Sequence, residues 1–116
     1  MKNNLIKDKS FAFAVRIVKL CKYLNQEKRE FVLAKQILRS GTAIGALVRE
    51  AEHGESRADF VHKLAIALKE ANETQYWIEL LHQTDYIDPK SFESINQDCT
   101  ELLKLLTAII KTTKNN

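Results

Sequence analysis

A chain of 116 residues and 13.3 kDa has the size of one domain, since domains hold roughly 100–200 residues. Its 45% hydrophobic and 28% charged residues are too apolar a mixture for a disordered chain, and three Gly and one Pro are too few for a many-stranded β fold. The net charge of +3 hides an asymmetry: residues 1–49 carry eleven Lys/Arg against three acids (+8), and residues 50–116 carry seven against twelve (−5). Such a split points to an anionic partner, to head-to-tail pairing of subunits, or to helix faces whose charges compensate each other.

Two cysteines, Cys21 and Cys99, allow at most one disulfide and exclude a disulfide scaffold. The first residues lack the apolar core of a signal peptide, and no run reaches the roughly 20 apolar residues of a spanning helix. A cytoplasmic protein with no membrane association is the expectation.

Four helices with short joints account for the chain, and short joints predict an all-α, up-down-up-down antiparallel four-helix bundle forming a single domain over 1–116. The first helix is predicted over about residues 9–25, with Phe13, Ile17, Leu20 and Leu24 in one stripe and Phe11, Ala14, Val18 and Cys21 in a second. The second is predicted over about 29–52 on Leu33, Ile37, Ile44, Leu47 and Ala51. Its middle, Ser40-Gly41-Thr42-Ala43-Ile44-Gly45-Ala46, is nearly all small, so either a neighbouring helix approaches closely there or the helix breaks at Gly41.

Gly54 suits a C-terminal cap, and Ser56-Arg57-Ala58-Asp59 resembles a capping box. The third helix is predicted over about 57–84, with a seam of Val61, Leu64, Leu68, Ala71 and Ile78 flanked by Phe60, Ala67, Thr74 and Leu81. Asp88 reads as the N-cap of the fourth helix and Pro89 as its first residue, with Ile87 and Phe92 spaced as a hydrophobic staple. Phe92, Ile95, Cys99, Leu102, Leu106 and Ile109 then repeat in a strict 3-4-3-4-3 seam, ahead of a polar tail over 111–116.

Enzyme chemistry has no visible address. Di-metal bundles use paired Glu-x-x-His motifs, but Glu50/His53 and Glu79/His82 lie about 26 helical residues apart, roughly 39 Å along a bundle. His62 has no second ligand at zinc spacing, both cysteines fall on apolar stripes, and no phosphate loop or catalytic triad order occurs. A non-enzymatic protein without cofactor or metal is expected.

The charged residues carry the functional candidates. Arg16, Lys19, Lys28, Arg29, Lys35, Arg39 and Arg49 lie on the first two helices, and Lys28, Lys35, Arg39 and Arg49 fall within about 80° of one another on an ideal helix. A stripe of this kind neutralises phosphates, giving salt-dependent binding of RNA or DNA. On the third helix Lys63, Glu70 and Trp77 recur every seven residues beside Glu73. That line is either a solvated face with a Lys69–Glu73 pair or an oligomer interface anchored by Trp77. Leu103, Leu105 and Ile110 add apolar surface beyond what one seam needs, which also favours oligomerisation.

The ordered set Leu38-Arg39-Ser40-Gly41-Thr42-Ala43-Ile44-Gly45-Ala46, Glu50-Ala51, Ser56-Arg57-Ala58-Asp59-Phe60, Lys63, Ile66-Ala67-Leu68-Lys69-Glu70-Ala71, Glu73-Thr74 and Tyr76-Trp77-Ile78 resembles one family. It is that of the four-helix-bundle proteins encoded in intervening sequences of bacterial 23S ribosomal RNA genes. The resemblance implies a bundle assembled as a ring-shaped homopentamer. It is similar also to the accessory bundle of diversity-generating retroelements, which implies a basic surface for nucleic acid and a protein partner such as a reverse transcriptase. It brings no catalytic residues. Leu47 departs from the pattern, which often has Asn after Gly-Ala. Two functions stand as expectations: an oligomeric bundle that binds nucleic acid through the first two helices, or a protein-protein interaction scaffold whose charged faces serve assembly alone.

Overall fold

A computed structural model describes residues 2–115, which form four helices: α1 (Lys2–Glu27), α2 (Val32–Glu52), α3 (Arg57–Gln83) and α4 (Pro89–Lys114). Each packs on the next in sequence and α4 returns to α1, giving an up-down-up-down bundle of 46 × 21 × 20 Å. No helix among the described residues is long and apolar enough to cross a membrane.

α1 begins seven residues before the expected start. Its buried line is Ile6, Ser10, Phe13, Ile17, Cys21 and Leu24. Ser10 interrupts the apolar pattern but is itself buried, its hydroxyl donating to the Lys7 carbonyl at 3.2 Å. Of the second stripe only Cys21 belongs to the core; Phe11, 56% exposed, and Val18 lie outside it.

α2 starts at Val32 rather than near residue 29, because Arg29 takes a left-handed conformation (φ 54°) and ends the turn after α1. The first free amides of α2 are met by Glu30, whose Oε1 accepts from Leu33 N at 2.7 Å and from Ala34 N at 3.0 Å. From there α2 runs unbroken through both glycines. A Cβ on Gly41 would lie 2.7 Å from Cγ1 and 2.9 Å from Cγ2 of the fully buried Ile17, and one on Gly45 would lie 3.3 Å from the Ser10 carbonyl oxygen. The small stripe is therefore the seat of α1, and α2 does not break there.

On α3 the buried residues are Leu64, Ala67, Ala71, Thr74, Ile78 and Leu81, so three of the residues expected to flank the seam form it. Val61 and Leu68 are half-buried beside them. A 2.8 Å hydrogen bond joins the hydroxyls of Thr74 and Ser40, both buried between α2 and α3. Ser56 Oγ accepts from Asp59 N at 3.0 Å, the expected cap. Gly54 lies just beyond α2 without a positive φ; space is what it supplies, since a Cβ there would stand 2.9 Å from Asp59 Oδ2 and 3.1 Å from the Ala51 carbonyl.

α3 closes at Asp85, in the left-handed region (φ 67°), with Tyr86 N donating to Leu81 O at 2.9 Å and Asp85 N to His82 O at 3.1 Å. Asp88 caps α4, accepting from Ser91 N at 2.7 Å, and Pro89 is its first residue. Of the predicted α4 seam, Ile95, Cys99, Leu102 and Leu106 are buried and Phe92 and Ile109 half-buried at its ends.

The α1–α2 contact yields a test by thermal or urea unfolding. Gly41→Ala is expected to destabilise the protein by about 1–2 kcal/mol, overpacking against Ile17 outweighing the gain in helix propensity. In an Ile17→Ala background, where the clashing atoms are gone, the same Gly41→Ala change is expected to stabilise. Additive effects would contradict the contact.

Candidate nucleic-acid interface

The bundle pairs much of its own charge. Lys7 meets Glu52 (3.3 Å), Lys9 meets Glu101 (3.1 Å) and Arg16 meets Asp98 (2.6 Å). Arg39 bridges Glu70 (3.2 Å) and Glu73. Each of these joins a cation of the basic half to an acid of the acidic half. Lys63, paired with Glu50 at 3.0 Å, adds a bond between α2 and α3. Compensation between faces is thus a substantial part of what the charge asymmetry encodes.

The seven basic candidates separate accordingly. Arg16 is held on α4 by Asp98 and by Ser94, whose Oγ accepts at 3.1 Å. Arg39 is engaged with two carboxylates on α3, and Arg49 lies over the Phe11 ring at 5.2 Å. Lys19, Lys28, Arg29 and Lys35 are exposed and have no charged partner among the described residues. The 80° arc does not describe Lys28, nor does it extend to Arg29, because both precede α2. They sit instead in the α1–α2 joint, at the same end of the bundle as the last turns of α1 and the first turn of α2.

Lys22, which the spacing of charges did not single out, belongs with them: it is exposed one turn beyond Lys19 and has no charged partner among the described residues. Residues 19–35 carry five cations (Lys19, Lys22, Lys28, Arg29, Lys35) against two acids (Glu27, Glu30), a balance of +3. Glu30 is already committed to the α2 amides. Two hollows flank this segment. One, of about 480 Å³ between α1 and α4, is lined by Arg16, Lys19, Leu20, Tyr23, Asp88 and Ser91 among others. The other, of about 210 Å³ between α1 and α2, is lined by Cys21, Asn25, Phe31, Ala34, Lys35 and Leu38.

The residues expected at an oligomer interface are engaged within the bundle. Lys63 holds Glu50, Glu70 and Glu73 hold Arg39, and Trp77 donates its indole N–H to Glu73 at 3.0 Å. Glu73 therefore pairs with Arg39, where the sequence offered Lys69. Leu103, Leu105, Ile110 and Trp77 are half-buried against the bundle's own core, and Leu47, at the departure from the family pattern, packs there too. Most of the exposed large apolar side chains lie on the other hairpin, among them Phe11, Val15 and Val18 on α1 and Phe31, Val32 and Leu38 at the start of α2, while Tyr76 is exposed on α3. Among the described residues no three His, Cys, Asp or Glu groups gather as a metal ion would need.

An all-α bundle held by an α1–α2 glycine contact and complementary hairpins is the class of protein that these features define. The chain belongs to the 23S rRNA-intervening sequence protein family, whose model matches residues 2–108. It is similar to a crystal structure of a protein of unknown function from the S23 ribosomal protein family of Bacteroides thetaiotaomicron VPI-5482. The two are 65% identical with a TM-score of 0.94, over 96% of this chain and 99% of that one. No curated protein matches the sequence.

The electrostatics lead to two measurements. Hydrogen bonds from Arg39 and Trp77 hold the Glu73 carboxyl below its ordinary value of 4.5, and those from Ser91 hold Asp88 below its own. A lowered carboxyl stabilises the fold above the unfolded value and loses that contribution as pH falls through the folded one. The melting temperature of Glu73→Gln is therefore expected to fall less than that of the wild type between about pH 5 and about pH 3. A parallel fall would contradict the Glu73 network. Burial pushes the Cys21 thiol up to about 11 and the Cys99 thiol up to about 12. Iodoacetamide at about pH 8 is expected to leave both unmodified in the native protein and to label both in denaturant. Native labelling of either would contradict its placement in the core.

Proposed function

We propose that the protein binds RNA or DNA through the basic end formed by the last turns of α1, the α1–α2 joint and the first turn of α2. The observation that carries this reading is the selective pairing of charge. Arg16 and Arg39 are compensated by carboxylates of α3 and α4, whereas Lys19, Lys22, Lys28, Arg29 and Lys35 are left together without acidic partners among the described residues. Exposed cations on one end of a rigid bundle neutralise phosphates and release counterions, giving affinity that falls steeply with salt. The mechanism is binding rather than catalysis.

The test is fluorescence anisotropy of a labelled oligonucleotide across a salt series. Lys28→Glu combined with Lys35→Glu is expected to weaken binding and to lower the slope of log affinity against log salt by about 2. Arg16→Gln, whose guanidinium already faces Asp98, is expected to change the slope little. Unchanged binding in the double variant would refute the basic end as the site.

A second reading, assembly of several copies, is favoured by Phe11, Val15 and Val18, exposed on α1 at one-turn spacing. A homo-oligomer, as the family resemblance implies in pentameric form, would cover this stripe. Light scattering is expected to give a mass of several subunits, reduced by Val15→Asp with Val18→Asp; a monomeric wild type would refute it.

A further inference from the structure

Phe31 is the least economical residue at the basic end. It is the N-cap residue of α2, a position that favours side chains able to accept from the helix amides, yet it makes no cap hydrogen bond and Glu30 does that work. Nor does it join the core: 55% of it is exposed. Its ring instead walls the hollow of about 210 Å³ between α1 and α2. The floor is apolar and fixed, with Cys21 and Ala34 both buried and Cys21 Sγ 3.3 Å from the Ala34 carbonyl.

Asn25 borders the same hollow, and its Oδ1 is shielded from solvent with no hydrogen-bond donor. A buried acceptor left without a donor is a local cost to the fold. Lys35 stands at the rim, and Lys28 and Arg29 lie in the joint that leads to it. The volume is below the roughly 300–1,000 Å³ of sites for drug-sized molecules, and matches one flat ring system rather than a helix or an extended ligand.

We infer that this hollow receives one unpaired base of a single-stranded nucleic acid, stacked on Phe31, while Lys28, Arg29 and Lys35 hold the flanking phosphates. The inference rests on the nucleic-acid reading above and deepens it by naming the strand state. Bases within a duplex are stacked on one another and cannot enter such a slot, whereas a single strand offers its π-faces freely. Charge complementarity selects this occupant over an apolar side chain from a second copy, which would leave Lys35 at the rim and Lys28 and Arg29 in the adjoining joint unanswered.

The experiment is anisotropy at low salt with labelled 12-mers of oligo(dC), oligo(dT) and a mixed-sequence duplex. Single strands are expected to bind more tightly than the duplex, and Phe31→Ala to weaken single-strand binding by about 5- to 100-fold while leaving the duplex unchanged. Phe31→Tyr, which keeps the π-face, is expected to retain wild-type affinity. Because Phe31 is exposed, the alanine variant is expected to keep the wild-type helical circular dichroism and melt.

Equal losses on single strand and duplex, or no loss on either, would overturn the base pocket while leaving the phosphate-binding end intact. A fall in light-scattering mass for Phe31→Ala without a change in single-strand affinity would overturn it in favour of a side chain from a second copy. Absence of wild-type binding to any of the three would overturn the nucleic-acid reading and the pocket with it.

Discussion

The close approach of α1 to α2 at two glycines governs most of the molecule's architecture. With no side chain on Gly41, Ile17 occupies the space where a Cβ would stand, and Gly45 lets the Ser10 backbone come nearly as close. That contact fixes the rotation of α1 about its axis. Ile6, Phe13, Ile17 and Leu24 turn inward, and Phe11, Val15 and Val18 are left on the outer surface. It also places the end of α1 beside the start of α2, so that Cys21 and Ala34 form a floor and Phe31 stands over it. Two interior glycines cost a helix roughly 1 kcal/mol each, and a core residue as large as Ile offsets this when fully buried.

The charges act on a different level. Ion pairs between exposed or half-exposed side chains stabilise a fold by little, with a median of about 0–1 kcal/mol. The pairs from Lys7, Lys9, Arg16 and Arg39 to the acidic half therefore matter less for stability than for what they leave uncompensated. They remove four cations from the solvent-facing field of α1 and α2, and leave Lys19, Lys22, Lys28, Arg29 and Lys35 around the α1–α2 joint, with Arg49 over Phe11 towards the other end of α2. A basic half of a chain is thus not equivalent to a basic surface; subtraction across helix contacts decides where the surface lies.

Much of the fold was legible because its signals are local. Asp88-Pro89 starts α4, Ser56 caps α3, and the four central residues of the α4 seam are buried with Phe92 and Ile109 half-buried at its ends. Gly41 and Gly45 announced a close contact, although the sequence alone could not separate contact from kink. The start of α1 was hidden because a buried Ser10 breaks the apolar period, and the start of α2 because Glu30 caps the helix from outside it while Arg29 turns the chain left-handed.

The site was less legible, for a physical reason. Whether Arg39 is a phosphate ligand or a tie to Glu70 and Glu73 depends on partners 31 and 34 residues away. Trp77, an interface candidate by its spacing, gives its indole N–H to Glu73, which its own helix supplies at four-residue spacing. Exposure of the α1 stripe follows the rotation set at Gly41, and Phe31 is exposed outside α2 at its N-cap; no periodicity argument reaches either. On the proposed reading, charge pairing confines nucleic-acid binding to the α1–α2 end. Hydrogen exchange with and without a single-stranded oligonucleotide at low salt tests it most directly. The account predicts added protection confined to about residues 19–36, where amides near the ends of α1 and α2 open most readily. Protection centred on α3 or on the middle of α4 would contradict it.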